Sequence, residues 1–160
     1  MGSTSDLPVM EKAAAFLNTM QIPFEMNALS AHRTPDDVEQ FAKEAANRGV
    51  RVIIAGAGMA AALPGVIAAN TILPVIGVPI KGMLDGLDAL LSIVQMPPGI
   101  PVATTGVNGA LNAAILAAEM LALGDAALAD RLKEYKQGLR DKITKANKEL
   151  AEIRYDFKTN

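Results

Sequence analysis

The chain's single histidine lies in Ser30-Ala31-His32-Arg33-Thr34-Pro35, with a hydroxyl two residues before it and a guanidinium directly after it. Imidazole is the one side chain here whose ordinary pKa lies near neutrality, so His32 is the candidate to give and take a proton. Arg33 supplies a rigid fork suited to a phosphate or a carboxylate. Gly2-Ser3-Thr4-Ser5-Asp6 sets hydroxyls and a carboxylate before the start of a helix, whose unpaired N–H groups and dipole favour an anion such as a phosphate monoester. Gly56-Ala57-Gly58-Met59-Ala60-Ala61 lets backbone approach a small planar ligand closely. Each stretch also has a purely structural alternative. A Ser-rich turn caps a helix, an arginine rests in solvent, and a lone histidine packs.

Other chemistries fit poorly. One histidine and no cysteine leave only scattered carboxylates for a metal, so no metal site is expected. Ser3, Ser5 and Ser30 lack the elbow sequence and partners of a hydrolase triad. The glycines after Ala55 loosely match a dinucleotide fingerprint, but the strand expected at Pro74 to Val78 carries no acid to hold a ribose. A net charge of −2 gives no basic field for nucleic acid.

The elements that must position these groups follow from spacing. Val9, Ala13, Phe16, Leu17 and Met20 predict a helix from about Leu7 to Met20, capped by Ser5 or Asp6 and stopped at Ile22-Pro23. Phe24 to Leu29 reads as a strand that delivers Ser30. Thr34 is the expected N-cap of a second helix, with Pro35 in its first turn, Asp36 and Asp37 at its positive end, and Gly49 as its stop. Val50 to Ala55 is a buried parallel-type strand, followed by the glycine turn and a short helix to about Asn70. Pro74 to Val78 is the next strand, then the Lys81 to Gly86 loop, a helix over Leu87 to Val94, a breaker at Met96 to Gly99, and a strand over Val102 to Thr105. Ala110 to Leu123 is a helix apolar on every side, hence buried. From Asp125 a long charged helix carries one stripe of Leu128, Leu132, Tyr135, Leu139, Ile143, Leu150 and Ile153; it outruns a small domain and is expected to pack on a neighbouring subunit. The tail from Tyr155 is expected to be loose or draped.

Alternation of strands and helices predicts a three-layer α/β domain with a mostly parallel sheet, in which the loops after the strands converge on one crevice. The 160 residues, 51% of them hydrophobic, suit a single domain over 1–160 with 125–153 as an oligomerisation helix. The usual opening strand is missing, so either the start is clipped or four strands suffice. No signal peptide and no uninterrupted apolar span are visible, which predicts a soluble chain that does not enter a membrane. The lack of cysteine suits a cytoplasmic setting.

Six motifs occur in one order: Met1-Gly2-Ser3-Thr4-Ser5-Asp6, Ser30-Ala31-His32-Arg33-Thr34-Pro35, Ala55-Gly56-Ala57-Gly58, Leu63-Pro64-Gly65, Pro74-Val75-Ile76-Gly77-Val78-Pro79 and Ser92-Ile93-Val94-Gln95-Met96-Pro97. In these the chain resembles the bacterial 5-(carboxyamino)imidazole ribonucleotide mutases of purine biosynthesis. The resemblance implies a flavodoxin-like domain, a homo-octamer with sites at subunit contacts, and no metal or organic cofactor. It implies His32 as the acid and base. Ser3, Ser5 and Asp6 would hold ribose and phosphate, Ser30 and Arg33 the phosphate side, and Gly56, Ala57 and Gly58 the imidazole. Ala31, Met59 and Leu63 complete the implied substrate-binding set. Three features depart from the pattern: Ala62 stands where many members carry a histidine, the Lys81 to Gly86 loop is about a residue short, and the opening strand is absent. Two rivals remain, a carboxylase that uses free carbon dioxide and a nucleotide-binding module without catalysis.

Overall fold

The computed structural model describes residues 1–160. A single turn of 3-10 helix, Thr4–Asp6, leads into α1, Leu7–Thr19, which buries Met10, Ala13, Phe16 and Leu17 on one stripe. The helix ends in a left-handed residue, Gln21 at φ 56°, with Ile22 N–H donating to the Leu17 carbonyl at 2.9 Å and Gln21 N–H to that of Asn18 at 3.0 Å. This is the Schellman closure, made with Gln where Gly is usual. Helix α2 spans Pro35–Glu44, with proline in its first turn and Asp36 and Asp37 near its positive end.

Three parallel strands form the sheet, β1 Ile53–Ala57, β2 Val75–Pro79 and β3 Ala103–Thr104, in the order β1-β2-β3. Ile53 stands opposite Val75 and Ile76 opposite Ala103. Helices α3 Leu63–Ala69, α4 Leu87–Val94, α5 Ala110–Ala122 and α6 Ala126–Glu152 complete the chain. One buried cluster joins α1, α5 and the start of α6 to Ile76 and Val78, and a second joins α2, α3 and α4 to Ile53, Ala55 and Val75. The sheet thus lies between two helical layers, the three-layer α/β architecture expected. Central placement demands small residues: a Cβ at Gly77 would lie 2.4 Å from Ile93 Cγ2 and 3.1 Å from Val102 Cγ1. Helix α5 packs against α1 and the sheet; Ala110, Ala113, Ala114, Ala117 and Ala118 are buried, but Leu111 and Asn112 are exposed, so the helix is buried on one face and not all round as expected.

Helix α6 runs 27 residues, about 40 Å at the usual rise. Its N-cap Asp125 accepts from Leu128 N–H at 3.0 Å. Leu128 and Leu132 are buried and the Tyr135 ring meets Phe16 edge to face at 5.1 Å. Beyond that point Leu139, Ile143, Leu150 and Ile153 face solvent, so the stripe does outrun the domain. The tail folds back, with Lys158 Nζ donating to the Leu150 and Ile153 carbonyls. No helix is long and apolar enough to cross a membrane.

Several expectations are corrected. Phe24–Leu29 is not a strand and the sheet has three strands rather than four, because strand identity requires a hydrogen-bonded neighbour and this segment has none along most of its length. The strand expected at Val50 begins at Ile53 and takes in Gly56 and Ala57, since β2 pairs with it as far as Pro79. Asp6 and Thr34 occupy N-cap positions without capping through their side chains, while Ser3 caps the 3-10 turn by accepting from Ser5 N–H at 3.2 Å.

Candidate active site

The loops that follow β1, β2 and β3 all open at the carboxyl edge of the sheet, where a doubly wound fold binds its ligands. Backbone bonds bring the two N-terminal loops to the same edge. Gly2 N–H donates to the Gly56 carbonyl at 3.1 Å, near the end of β1, and Leu29 N–H donates to the Met1 carbonyl at 2.9 Å, one residue before Ser30.

Ser30 is the knot of the histidine loop. Its Oγ accepts from Arg33 N–H and from Arg33 Nε, each at 3.2 Å. Its carbonyl accepts from Thr34 N–H at 2.8 Å, and its own N–H donates to Thr34 Oγ1 at 3.1 Å. The Thr34 hydroxyl therefore closes the loop instead of capping α2. Arg33 then reaches across the chain, donating from Nη2 to the Gly2 carbonyl at 2.9 Å. Two of the five guanidinium N–H groups are engaged with the protein, which leaves three for an anion. His32 sits on this braced loop, exposed, and its ring makes no hydrogen bond to the protein. Both ring nitrogens are open to a ligand.

Ser3, Ser5 and Asp6 form the facing group. Ser5 Oγ lies 3.1 Å from Ser3 Oγ and 3.4 Å from Asp6 Oδ1. The α-amine of Met1 donates to the Asn27 carbonyl at 2.9 Å, and burial lowers its pKa against the opposing pull of Asp6.

The turn after β1 is strained. Met59 and Ala61 carry φ of 53° and 36°, Ala61 N–H donates to the Gly58 carbonyl at 3.0 Å, and Met59 is 65% exposed. Non-glycine residues in this region store of order 1–3 kcal/mol each, and such strain clusters at functional sites. A Cβ on Gly58 would stand 3.3 Å from the Ile80 carbonyl oxygen. The hydrogen bonds thus join Gly2, Ser30, Arg33 and Gly56 into one frame, with Ser3 next along the chain from Gly2, Ala31 and His32 on its loop, and Ala57, Gly58 and Met59 following Gly56. Leu63 differs: as the first residue of α3 it is 3% exposed and packed in the core.

Asn108 was not singled out from the sequence. It carries φ 57°, its N–H donates to the Pro79 carbonyl at 2.8 Å, and its Oδ1 accepts from Lys81 N–H at 2.9 Å, joining the loop after β3 to the Lys81–Gly86 loop. The adjacent Asn108-Gly109 pair was the available signal. Within the second loop Lys81 Nζ lies 2.9 Å from Asp85 Oδ1. No group of three or more His, Cys, Asp or Glu side chains is gathered to hold a metal ion.

Comparison with known proteins was consistent in direction. The AIR carboxylase family profile matches residues 1–142. The chain is 57% identical over 141 residues to the N5-carboxyaminoimidazole ribonucleotide mutase of Pyrococcus abyssi, covering 88% of this chain and 81% of that protein. It is 48% identical over 157 residues to the phosphoribosylaminoimidazole carboxylase of Candida glabrata, covering 98% of this chain but only 28% of that longer protein. The crystal structure of Treponema denticola PurE superposes with a TM-score of 0.83 at 32% identity over 94% of each chain.

Proposed function

The chain belongs to the AIR carboxylase family, and on that premise we propose that it is a mutase converting N5-carboxyaminoimidazole ribonucleotide to 5-amino-1-(5-phosphoribosyl)imidazole-4-carboxylate. This is an isomerase step of purine (IMP) biosynthesis, and its setting is the cytoplasm. The observation that carries the assignment is the Arg33 bridge to Ser30 and Gly2, which sets an unencumbered His32 beside a group of anion-binding donors.

In the reaction, protonated His32 gives its proton to the exocyclic nitrogen as the nitrogen–carboxylate bond breaks. Carbon dioxide is released and held beside the ring. Ring carbon 4 attacks it, forming the carbon–carbon bond, and neutral His32 then removes the proton from that carbon. Each cycle returns the histidine to its starting state, and the net change is an isomerisation. Proton transfer of this kind contributes about a hundred- to ten-thousand-fold, and holding carbon dioxide against the ring supplies the proximity term. Ser3, Ser5 and Asp6 hold ribose and phosphate, Ser30 and the free face of Arg33 take the phosphate side, and Ala31, Gly56, Ala57, Gly58 and Met59 surround the imidazole. Leu63 serves by anchoring the start of α3 in the core. The exposed outer stripe of α6 supports assembly with further copies, and the assembly proposed is the octamer that the resemblance implies.

A second reading, a carboxylase using free carbon dioxide, is favoured by one finding, the similarity to the Candida glabrata protein. Assaying the carboxyamino compound in parallel with the aminoimidazole ribonucleotide plus bicarbonate separates the two. The mutase turns over the first efficiently; efficient turnover of only the second assigns the carboxylase. In the same assay His32→Asn lowers kcat by about a hundred- to ten-thousand-fold and retains ligand binding. Unchanged turnover in that variant removes His32 from the mechanism, whereas ligand binding without turnover of either compound by the parent chain leaves a binding module.

A further inference from the structure

The ladder between β2 and β3 is carried past the end of β3 by a side chain. Asn108 N–H donates to the Pro79 carbonyl at 2.8 Å, and Asn108 Oδ1 accepts from Lys81 N–H at 2.9 Å. A residue in a parallel ladder brackets its partner in this way, bonding to the residue before it and to the residue after it. Asn108 so brackets Ile80, with its side-chain oxygen standing in for a strand carbonyl. Its left-handed backbone, φ 57°, is one that asparagine accepts more readily than most residues.

On its other side Ile80 meets β1. Its N–H donates to the Ala57 carbonyl at 2.9 Å, and in a parallel ladder its own carbonyl turns to the same side. Ile53 N–H donates to the Pro74 carbonyl, and the same register continued along the pair assigns Met59 N–H to the Ile80 carbonyl. That bond is not made, because β1 ends at Ala57 and the chain turns away with Met59 at φ 53°. The Ile80 carbonyl therefore accepts no hydrogen bond from the protein, although the residue is only 7% exposed. Buried carbonyls are seldom left so. It lies against Gly58, where a Cβ would stand 3.3 Å from its oxygen, so the glycine leaves this acceptor uncovered beside the turn proposed to meet the imidazole.

We infer that the Ile80 carbonyl accepts a hydrogen bond from the exocyclic nitrogen of the imidazole, and that Asn108 is the residue that positions this carbonyl. The inference rests on the function proposed above. A carbonyl accepts and cannot donate, so the ligand group that meets it must carry a hydrogen. The exocyclic nitrogen keeps at least one N–H in the carboxyamino compound, in the amine formed when carbon dioxide leaves, and in the product. The bond therefore persists through the isomerisation and holds the ring in one orientation while carbon dioxide moves. Asn108 acts through the peptide plane that joins Ile80 to Lys81. The carbonyl and the N–H of that plane point in opposite directions, so a bond that pins the Lys81 N–H on the β3 side fixes the Ile80 carbonyl on the β1 side.

The test measures, by calorimetry, the Kd of the 4-carboxylate product ribonucleotide and of the same ribonucleotide without its 5-amino group. The parent chain binds the amino compound about three- to tenfold more tightly, the usual worth of one neutral hydrogen bond. Asn108→Gly keeps the left-handed backbone and removes Oδ1; it weakens the amino compound by about that factor and leaves the other within about twofold. Asn108→Asp keeps both the backbone and the acceptor, and with them the preference. An undiminished preference in Asn108→Gly overturns the inference, as does an equal loss for both ligands, which marks a merely structural role. Loss of the preference in Asn108→Asp, or its absence in the parent, also overturns it while the mutase reading stands. A parent that binds neither compound overturns both.

Discussion

Replacing Arg33 by lysine keeps the charge of the histidine loop and removes its geometry. In the native site the guanidinium donates to Ser30 Oγ at 3.2 Å and to the Gly2 carbonyl at 2.9 Å while retaining three N–H groups for an anion. An ammonium has three donors on one atom and cannot span both acceptors and an anion together. Hydrogen bonds from charged groups contribute about 1.5–3 kcal/mol each, and exposure places these two at the low end, so the frame loses about 1.5–3 kcal/mol in total. At 1.4 kcal/mol per decade that is roughly a ten- to hundredfold fall in kcat/KM for the carboxyamino ribonucleotide. Steady-state kinetics apportions the loss. A rise in KM reports the weakened anion fork, and a fall in kcat reports displacement of His32 from the reacting atoms. Tm falls by roughly 3–12 °C, because the same hydrogen bonds tie the histidine loop to Gly2 in the free protein. If Arg33→Lys retains both constants within about twofold of the parent, the bridge does not position the histidine and the proposed frame is wrong.

Two further outcomes concern stability. Gly77→Ala forces a methyl to within 2.4 Å of the buried Ile93 Cγ2, so it costs about 3 kcal/mol and lowers Tm by roughly 6–12 °C; Ile93→Ala in the same chain recovers part of the loss, and strictly additive losses refute the clash. The Met1 α-amine, lowered by burial from its ordinary 8.0, binds its proton in the unfolded chain before it does so in the folded one as pH falls. Stability therefore decreases as pH drops from 8.0 to the folded value and is level below it. Denaturant titrations across that window measure the slope, and acetylating the amine abolishes it.

The helices were legible because their signals are local. Periodic apolar residues mark α1, Pro35 with two following acids marks the start of α2, and the uninterrupted alanine-rich run marks α5. Phe24–Leu29 differs for the opposite reason: its composition favours extension, but a strand is a relation between two segments, and this one pairs its backbone only with Met1. The same holds for the shift of β1 to Ile53–Ala57, which its register with β2 decides. At the site the residue types were readable, and His32, Arg33 and Ser30 do share one loop. The contact that gives the loop its purpose, Arg33 to the Gly2 carbonyl, spans 31 positions and has no local signature. Asn108 escaped for a related reason, since an Asn-Gly turn is visible in sequence while its bond to Lys81 is not.

The buried alanine face of α5 has a consequence for how this protein tolerates change. Ala110, Ala113, Ala114, Ala117 and Ala118 have no rotamers to freeze, so this part of the core is ordered at almost no side-chain entropy. Nor do they carry methylenes to lose. Truncation, the usual injury to a core, has little to remove there, while any enlargement must push α5 off what it packs against. Drift at this seam is therefore one-directional: Ala to Gly is a mild defect of helix propensity, and Ala to Val or Leu is a packing failure. Sequence space around α5 is closed on the side where most cores are open.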